Sequence, residues 1–151
     1  MTSMSTCLIL TGRAKEAADF YCDVFGTEIT QTVPDEEGGV MLCTCTLAGH
    51  EVIVLNGTGP EADIQSQRVT LQVHVDGQEE FDHYWYALLE GGHASKNGWL
   101  VDKFGIWWDI VPIQQMQIFS SATADSMQRI AVAARSMERI DIAELERVAL
   151  I

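Results

Sequence analysis

The chain has 151 residues, of which 22 are Asp or Glu and 9 are Lys or Arg, so its formal net charge is −13 at pH 7. Hydrophobic residues make up 47% of the chain, which is enough to bury a core within one compact domain or two small, closely packed modules. The negative charge repels phosphate backbones and anionic membrane surfaces, so neither a nucleic acid nor a membrane is expected as a partner.

The first residues carry no basic flank ahead of the short apolar run Cys7–Leu10, and no segment reaches the roughly 18 apolar residues of a membrane span. The four cysteines are not spaced like a disulfide framework. We therefore expect a soluble protein of the reducing cytoplasm.

The first half of the chain predicts a strand, a helix and three further strands. The helix has apolar residues at helical spacing and ends before Gly26, while the β-rich runs are separated by short turns. The predicted elements are a strand over Cys7–Leu10, a helix over Ala14–Phe25, and strands over Glu28–Val33, Val40–Leu47 and Glu51–Leu55.

The second half repeats this βαβββ plan after a loop over residues 56–67. A shift of 63 positions aligns Glu16, Asp19 and Tyr21 with identical residues of the second predicted helix, and the elements follow in the same order. The elements located in this half are a strand over Arg68–Val75, a helix over Gln78–Glu90, a strand over Gly98–Val101, a turn over Asp102–Gly105 and a strand over Ile106–Val111, which are three of the four strands of the plan.

Alternation along two of these strands predicts which side chains face a helix and which face an open surface. The residues expected to pack beneath the helix are Val69, Leu71, Val73, Val75, Ile106, Trp108 and Ile110. The residues expected on the open face are Thr70, Gln72, His74, Trp107 and Asp109.

The last part of the chain is predicted to be helical. Thr123–Glu138 has an amphipathic pattern, and Asp141 with Glu144 forms a plausible capping box for a final helix. Four of the nine basic residues lie here, which suits either a solvated helix face or docking within a dimer. We thus expect one domain over residues 1–113, made of modules at about 5–56 and 68–112, and a helical tail over 114–151.

Several segments resemble one known family, the PhnB-like branch of the vicinal oxygen chelate (VOC) superfamily. They are residues 14–21, 55–57, 78–85, 98–112 and 137–146. The superfamily includes glyoxalase I, bleomycin-resistance proteins and extradiol dioxygenases, and the branch is often labelled "3-demethylubiquinone-9 3-methyltransferase". The resemblance implies an α+β fold in which paired βαβββ modules form a cupped mixed sheet, the glyoxalase/bleomycin-resistance fold, with C-terminal helices and a homodimer.

We do not expect methyl transfer despite that label. A nucleotide-type methyl donor is usually held by a glycine-rich turn after the first strand of a doubly wound sheet. Here the first strand is followed by Leu10-Thr11-Gly12-Arg13, which offers one glycine, and the β-rich runs come in hairpin order.

Enzymes of the superfamily hold a divalent metal with side chains from the first and last strands of each module. The resemblance carries these positions over to Cys7 or Ile9, Ile53, Thr70 or Gln72, and Asp109. Only Asp109 is a strong ligand for a hard metal, whereas such sites usually need three or more protein ligands. The PhnB-like pattern has an amide where Asp109 stands. We therefore expect no cofactor, with a divalent metal at Asp109 as the alternative.

A pocket lined by Thr70, Gln72, His74, Trp107 and Asp109, with Cys7 and Ile53 from the first module, suits a small, partly apolar organic ligand. The favoured hypothesis is a binding protein without catalysis, in which Asp109 accepts hydrogen bonds from Gln72 or a backbone amide.

Two alternatives stay open. One is a VOC enzyme, such as an isomerase, lyase or dioxygenase-like protein, in which Asp109 is a metal ligand or a general base and His74 shuttles protons. The other is an interaction protein that acts through its C-terminal helices.

Overall fold

Two βαβββ units, each with its own four-stranded sheet, follow one another along the chain in a computed structural model that describes residues 1–57 and 68–151. The chain divides into the compact units Met1–Gln65 and Ser66–Ile151. Most of the loop predicted over 56–67 lies outside the described residues. The second unit includes all the helices that follow Pro112.

The first unit contains every element that the sequence predicts for it, with bounds that agree within one residue. Its elements are β1 (Thr6–Leu10), α1 (Ala14–Phe25), β2 (Ile29–Pro34), β3 (Val40–Leu47) and β4 (His50–Asn56). The strand order is β1-β4-β3-β2, in which β1 and β4 are parallel and the other neighbours are antiparallel.

Small side chains let α1 lie close to this sheet. Ala14, Ala17 and Ala18 are fully buried together with Tyr21, so the apolar stripe of the helix faces the strands. At the start of α1, the Ala14 N–H donates to Asn56 Oδ1 at 2.8 Å, while Asn56 Nδ2 donates to a carbonyl of β3 at 2.8 Å. One side chain at the end of β4 therefore joins the helix to the sheet.

Three of the four cysteines belong to this core. Cys22, Cys43 and Cys45 are buried, whereas Cys7 is exposed. Burial, with smaller contributions from the neighbouring thiols, raises the pKa of Cys45 to about 12. Cys45 is therefore a neutral thiol at physiological pH, as suits a packing residue.

The second unit repeats the plan and adds three helices. Its sheet has the order β5-β8-β7-β6, and β5 and β8 are parallel. Its elements are β5 (Leu71–Val75), α2 (Gly77–Leu89), β6 (His93–Ala94), β7 (Trp99–Val101), β8 (Trp107–Pro112), α3 (Ile113–Ser121), α4 (Ala124–Ser136) and α5 (Ile142–Ala149). Across the described residues, two four-stranded mixed sheets and five helices thus confirm the α+β prediction.

The strand predicted over Arg68–Val75 is wrong at its beginning. It starts at Leu71, so Thr70 precedes the strand, and Val69 is 74% exposed instead of packing beneath a helix. The physical reason lies in its neighbour, because β8 begins only at Trp107 and pairs Trp108 with Leu71. The sequence also did not predict the two-residue strand β6 or the separate helix α3.

A buried carboxylate fixes the turn between β7 and β8. Asp102 is 3% exposed, and its Oδ2 accepts a hydrogen bond from Trp108 Nε1 at 2.8 Å. Its Oδ1 accepts the backbone N–H groups of Phe104 and Ile106 at 2.8 and 3.1 Å. The charge is therefore satisfied by three donors, and the hairpin that carries β8 is held in one geometry.

The segment after α4 is tied to α2 by a polar clamp. The Arg139 guanidinium donates to both carboxylate oxygens of Asp82, at 2.7 and 2.8 Å, and this interaction holds the pKa of Asp82 below its usual range. The Gln78 side chain donates to the Ile140 carbonyl and accepts the N–H of Ile142, both at 2.9 Å.

The same segment also pairs with the turn before β7. The Asn97 and Gly98 N–H groups donate to the carbonyls of Met137 and Glu138 at 2.7 and 2.9 Å. Gly98 has φ +78°, and a Cβ at this position would lie 2.7 Å from the Ile110 carbonyl oxygen. Only glycine fits there. Through the two hydrogen bonds to Met137 and Glu138, the segment that follows α4 is part of the second unit's packing.

Replacing Asp102 should destabilise the protein strongly. Asp102→Ala leaves a buried indole N–H and two backbone N–H groups without their acceptor, so we expect the free energy of unfolding to fall by about 3 kcal/mol. Denaturant unfolding measures this change.

Asp35→Ala is the matched control. Asp35 also accepts two backbone N–H groups, at 2.9 and 2.7 Å, but it is exposed, and water replaces the lost bonds at a cost below about 1 kcal/mol. Equal losses in the two variants would contradict the structural role assigned to Asp102.

Candidate functional site

Parallel pairing of β5 with β8 brings the polar residues of the second sheet together. Gln72 lies opposite Asp109 in the register, and His74 lies opposite Val111. Four apolar residues of these strands are buried, as the alternation predicts: Val73, Val75, Trp108 and Ile110. The side chains of Gln72, His74 and Asp109 therefore share the opposite face, which we call the Asp109 face.

Hydrogen bonds connect the three polar residues in a line. Gln72 Nε2 donates to Asp109 Oδ2 at 3.0 Å, and Gln72 Oε1 is 2.8 Å from His74 Nε2. Because a carboxamide oxygen only accepts, the His74 Nε2 must carry the proton in this arrangement. Gln72 thus separates His74 from Asp109, and an amide has no ionisable group through which to pass a proton at neutral pH.

Burial controls the charge of Asp109. The residue is 7% exposed, and this desolvation raises its pKa, whereas the hydrogen bond from Gln72 and the nearby His74 act in the opposite direction. The rise prevails because Gln72 brings a neutral donor and no positive charge. Asp109 therefore takes up a proton at a higher pH than an ordinary aspartate.

A cavity of about 260 Å³ opens on the Asp109 face. Gln72, Asp109 and Val111 contribute from the sheet. Helix α3, which follows β8 directly, contributes Gln115, Met116 and Phe119. The lining is therefore partly polar and partly apolar, as is typical of small-molecule pockets.

Asn97 completes the lining and has an unusual environment. It lies in the turn before β7 with φ +62°, and its Oδ1 is buried with no hydrogen-bond partner in the part of the chain that the structure describes. Leaving a buried acceptor unpaired costs about 1 to 3 kcal/mol, and such groups are uncommon in folded proteins.

Sequence reasoning missed Asn97, Val111 and the α3 residues. The Asn97-Gly98 pair signals a turn but no ligand contact. The α3 segment reads as helical tail, and nothing in its local pattern reports which sheet face it meets. Only the direct continuation of β8 into α3 at Pro112 hints that this helix stays near Asp109.

The other predicted site residues have different positions. Trp107 shares the Asp109 face by alternation and is half-buried, but it does not line the cavity. Thr70 lies before β5. Cys7 and Ile53 are neighbours in the register of β1 and β4 in the first unit. A role for these residues in ligand binding stays a prediction.

Strong metal ligands are sparse around Asp109. Within residues 1–57 and 68–151, no group of three or more His, Cys, Asp or Glu side chains is placed to hold a metal ion. In the cavity lining, Asp109 is the single carboxylate, and the other polar side chains are the amides of Gln72, Asn97 and Gln115. Transition-metal sites are usually built from Cys, His and carboxylate ligands, so neutral amides are weak substitutes.

Comparison with known proteins identifies the family. Residues 2–111 match the family described as 3-demethylubiquinone-9 3-methyltransferase. The chain belongs to this family. The expected membership of the PhnB-like branch of the VOC superfamily is thereby confirmed, while no curated protein shows significant similarity to the chain.

Solved structures confirm the fold of this family member. The PhnB protein from Bacillus cereus is 26% identical, with a TM-score of 0.67, over 74% of this chain and 99% of that one. Protein PA1353 from Pseudomonas aeruginosa is 17% identical, with a TM-score of 0.64 and coverages of 74% and 98%.

A third similar structure belongs to a protein with a stated resistance function. The fosfomycin resistance protein FosX from Listeria monocytogenes, crystallised with Mn(II) and 1S,2S-dihydroxypropylphosphonic acid, is 15% identical with a TM-score of 0.56. The match covers 73% of this family member and 91% of FosX.

In the described parts of the chain, no helix combines the length and apolar character needed to cross a membrane.

The raised pKa of Asp109 predicts how stability depends on pH. Below the pKa of an unfolded aspartate, the carboxyl is protonated in both states and burial costs little. As the pH rises through the higher pKa of the folded state, the buried carboxylate becomes charged and destabilises the fold.

We therefore expect Asp109→Asn to gain stability over the wild type as the pH increases from about 3 to about 7. Thermal unfolding of both proteins across this range measures the difference. A difference that does not vary with pH, or that favours the wild type at neutral pH, would contradict the burial argument.

Proposed function

We propose that this protein binds a small, partly apolar organic molecule on the Asp109 face, without a complete metal site. The observation that carries the proposal is the cavity between β5, β8 and α3, where a buried carboxylate and an unpaired amide oxygen lie beside apolar side chains. A few polar groups in an otherwise apolar concave site are typical of ligand recognition.

The fold supports binding more than the family's printed activity. Each described sheet contains one parallel pair and antiparallel hairpins, whereas nucleotide-type donors usually bind at the carboxyl ends of a doubly wound parallel sheet. FosX holds a small organic molecule on a similar fold. We therefore propose binding and do not propose methyl transfer.

A second candidate function is general-base catalysis by Asp109, on the same VOC scaffold. The observation that favours it is the raised pKa of a buried carboxyl in a cavity, a feature that recurs in catalytic sites. His74 would then position Gln72 and through it Asp109, because the amide between them blocks direct proton exchange. Turnover of a bound ligand that is lost in Asp109→Asn would favour catalysis over binding alone.

The assembly and location of the protein are proposed from the sequence. The family resemblance supports a homodimer, and the net charge of −13 supports the absence of nucleic-acid partners. The scattered cysteines support a reducing, cytoplasmic setting.

Metal analysis tests the first part of the proposal. Protein purified without chelators and without a metal-binding tag should contain less than about 0.1 equivalent of transition metal, because one carboxylate and neutral amide oxygens bind such ions weakly. Divalent ions should not raise the unfolding temperature of the wild type more than that of Asp109→Ala. Near-stoichiometric metal that disappears in Asp109→Ala would favour a metalloenzyme instead.

A ligand screen tests the second part. Native mass spectrometry and thermal shift with single-ring aromatic compounds should find a 1:1 complex, and Phe119→Ala should weaken it about tenfold because apolar contact area is lost. Tyr86→Ala is the matched control, since Tyr86 is 60% exposed on α2 and does not line the cavity.

The control should bind with unchanged affinity. A ligand that is insensitive to Phe119→Ala but sensitive to Tyr86→Ala would place binding elsewhere and overturn the proposed site.

A further inference from the structure

The charges of the cavity lining indicate a class of ligand, and this inference rests on the proposed function. We infer that the cavity takes a small organic cation, whose ammonium nitrogen lies against Asp109 and whose apolar body lies against Met116 and Phe119.

The lining has one negative charge and, among the described residues, no positive charge. Asp109 is the single ionisable group, and the other polar members are the amides Gln72, Asn97 and Gln115. An anionic ligand would meet a carboxylate and no compensating cation, so no attraction would offset the free-energy cost of desolvating the anion. A cation instead pairs with Asp109 in a site where burial strengthens the attraction.

The Asp109 carboxylate is the polar group of the lining that calls for a charged partner. Gln72 gives Asp109 one neutral N–H bond, which balances none of the carboxylate charge. Asn97 Oδ1 also lacks a partner in the described part of the chain, but it is buried from solvent, so the preference for a cation depends on Asp109. A protonated amine brings a positive charge and up to three donors in a compact group, whereas a hydroxyl brings one donor and no charge.

The remaining lining suits an apolar body attached to the charge. Val111, Met116 and Phe119 form the apolar part, and Met116 is 43% exposed in the free protein. An aromatic ring and a thioether offer dispersion contacts to a ring, and an aromatic face also attracts a nearby cation. The net charge of −13 adds a long-range attraction for cations.

Three probes with one aromatic skeleton test this inference: 2-phenylethylamine, 2-phenylethanol and 3-phenylpropanoate. Titration calorimetry at neutral pH and low salt should give an affinity for the amine about tenfold or more above that of the alcohol, because only the amine pairs with the carboxylate. The anionic probe 3-phenylpropanoate should bind more weakly than 2-phenylethanol.

One variant of the cavity and one control sharpen the test. Asp109→Asn should reduce the preference for the amine to about twofold or less while the alcohol still binds. Asp125→Asn removes the same charge from an exposed position on α4, and it should leave the preference unchanged.

The outcomes separate this inference from the proposed function. If 2-phenylethanol or 3-phenylpropanoate binds as tightly as 2-phenylethylamine, and Phe119→Ala still weakens binding, then the cation inference is overturned and the proposed binding site stands. If Asp125→Asn lowers the amine preference as much as Asp109→Asn, the preference reflects global charge and the inference is also overturned. If none of the three probes binds at millimolar concentration, both this inference and the proposed binding of small aromatic molecules fail.

Discussion

The pairing of the first strand with the last strand in each unit is the constraint on which the candidate site depends. In the second unit, the parallel register of β5 and β8 places Gln72 directly beside Asp109, although 36 residues separate them along the chain. The same register directs Val73, Val75, Trp108 and Ile110 into the core, so a shift by one residue would expose the core and bury the polar face. Hydrophobic burial on one face thereby fixes the polar geometry on the other.

Two buried aspartates in this unit show how surroundings decide the role of one residue type. Asp102 has three donors, including the indole of Trp108, and its charge stabilises the β7–β8 turn. Asp109 is also buried, but its described side-chain partner is the amide of Gln72, and desolvation raises its pKa. The first carboxylate is satisfied within the fold, whereas the second has no charged partner in its described hydrogen bonds, and this difference underlies the proposed role of Asp109 in ligand binding.

The family name and the shared fold do not by themselves identify the chemistry of the Asp109 face. The family model covers most of the chain, and the B. cereus PhnB protein shares the fold along nearly its whole length. FosX has a comparable fold and was crystallised with Mn(II) and a phosphonic acid, whereas the cavity described here has one carboxylate and amides in its polar lining. A shared fold does not fix the chemistry of a site, because a few side chains on one sheet face set the charge of the cavity.

Much of the fold follows from local pattern. Helix α1 and strand β3 have the predicted bounds because apolar spacing, Gly26 and the turn at Gly49 are all local signals. The pairing of Asp109 with Gln72 was also expected, since alternation put both on one face and the family resemblance put their strands together. The error at Arg68–Thr70 arose because the length of a strand depends on its neighbour, which sequence alternation does not report.

The sequence by itself determined the elements of the two βαβββ units except β6, the buried faces of β5 and β8, and a polar face that contains Gln72, His74 and Asp109. Only the tertiary structure decided that Asn97 and α3 join that face, because these contacts arise from the turn before β7 and from the direction in which the chain leaves Pro112. It also decided the charge balance of the cavity, since the desolvation of Asp109 and the unpaired oxygen of Asn97 depend on what surrounds them in space. Local spacing encodes the faces of secondary structure, whereas burial and hydrogen-bond partners are set by distant parts of the chain.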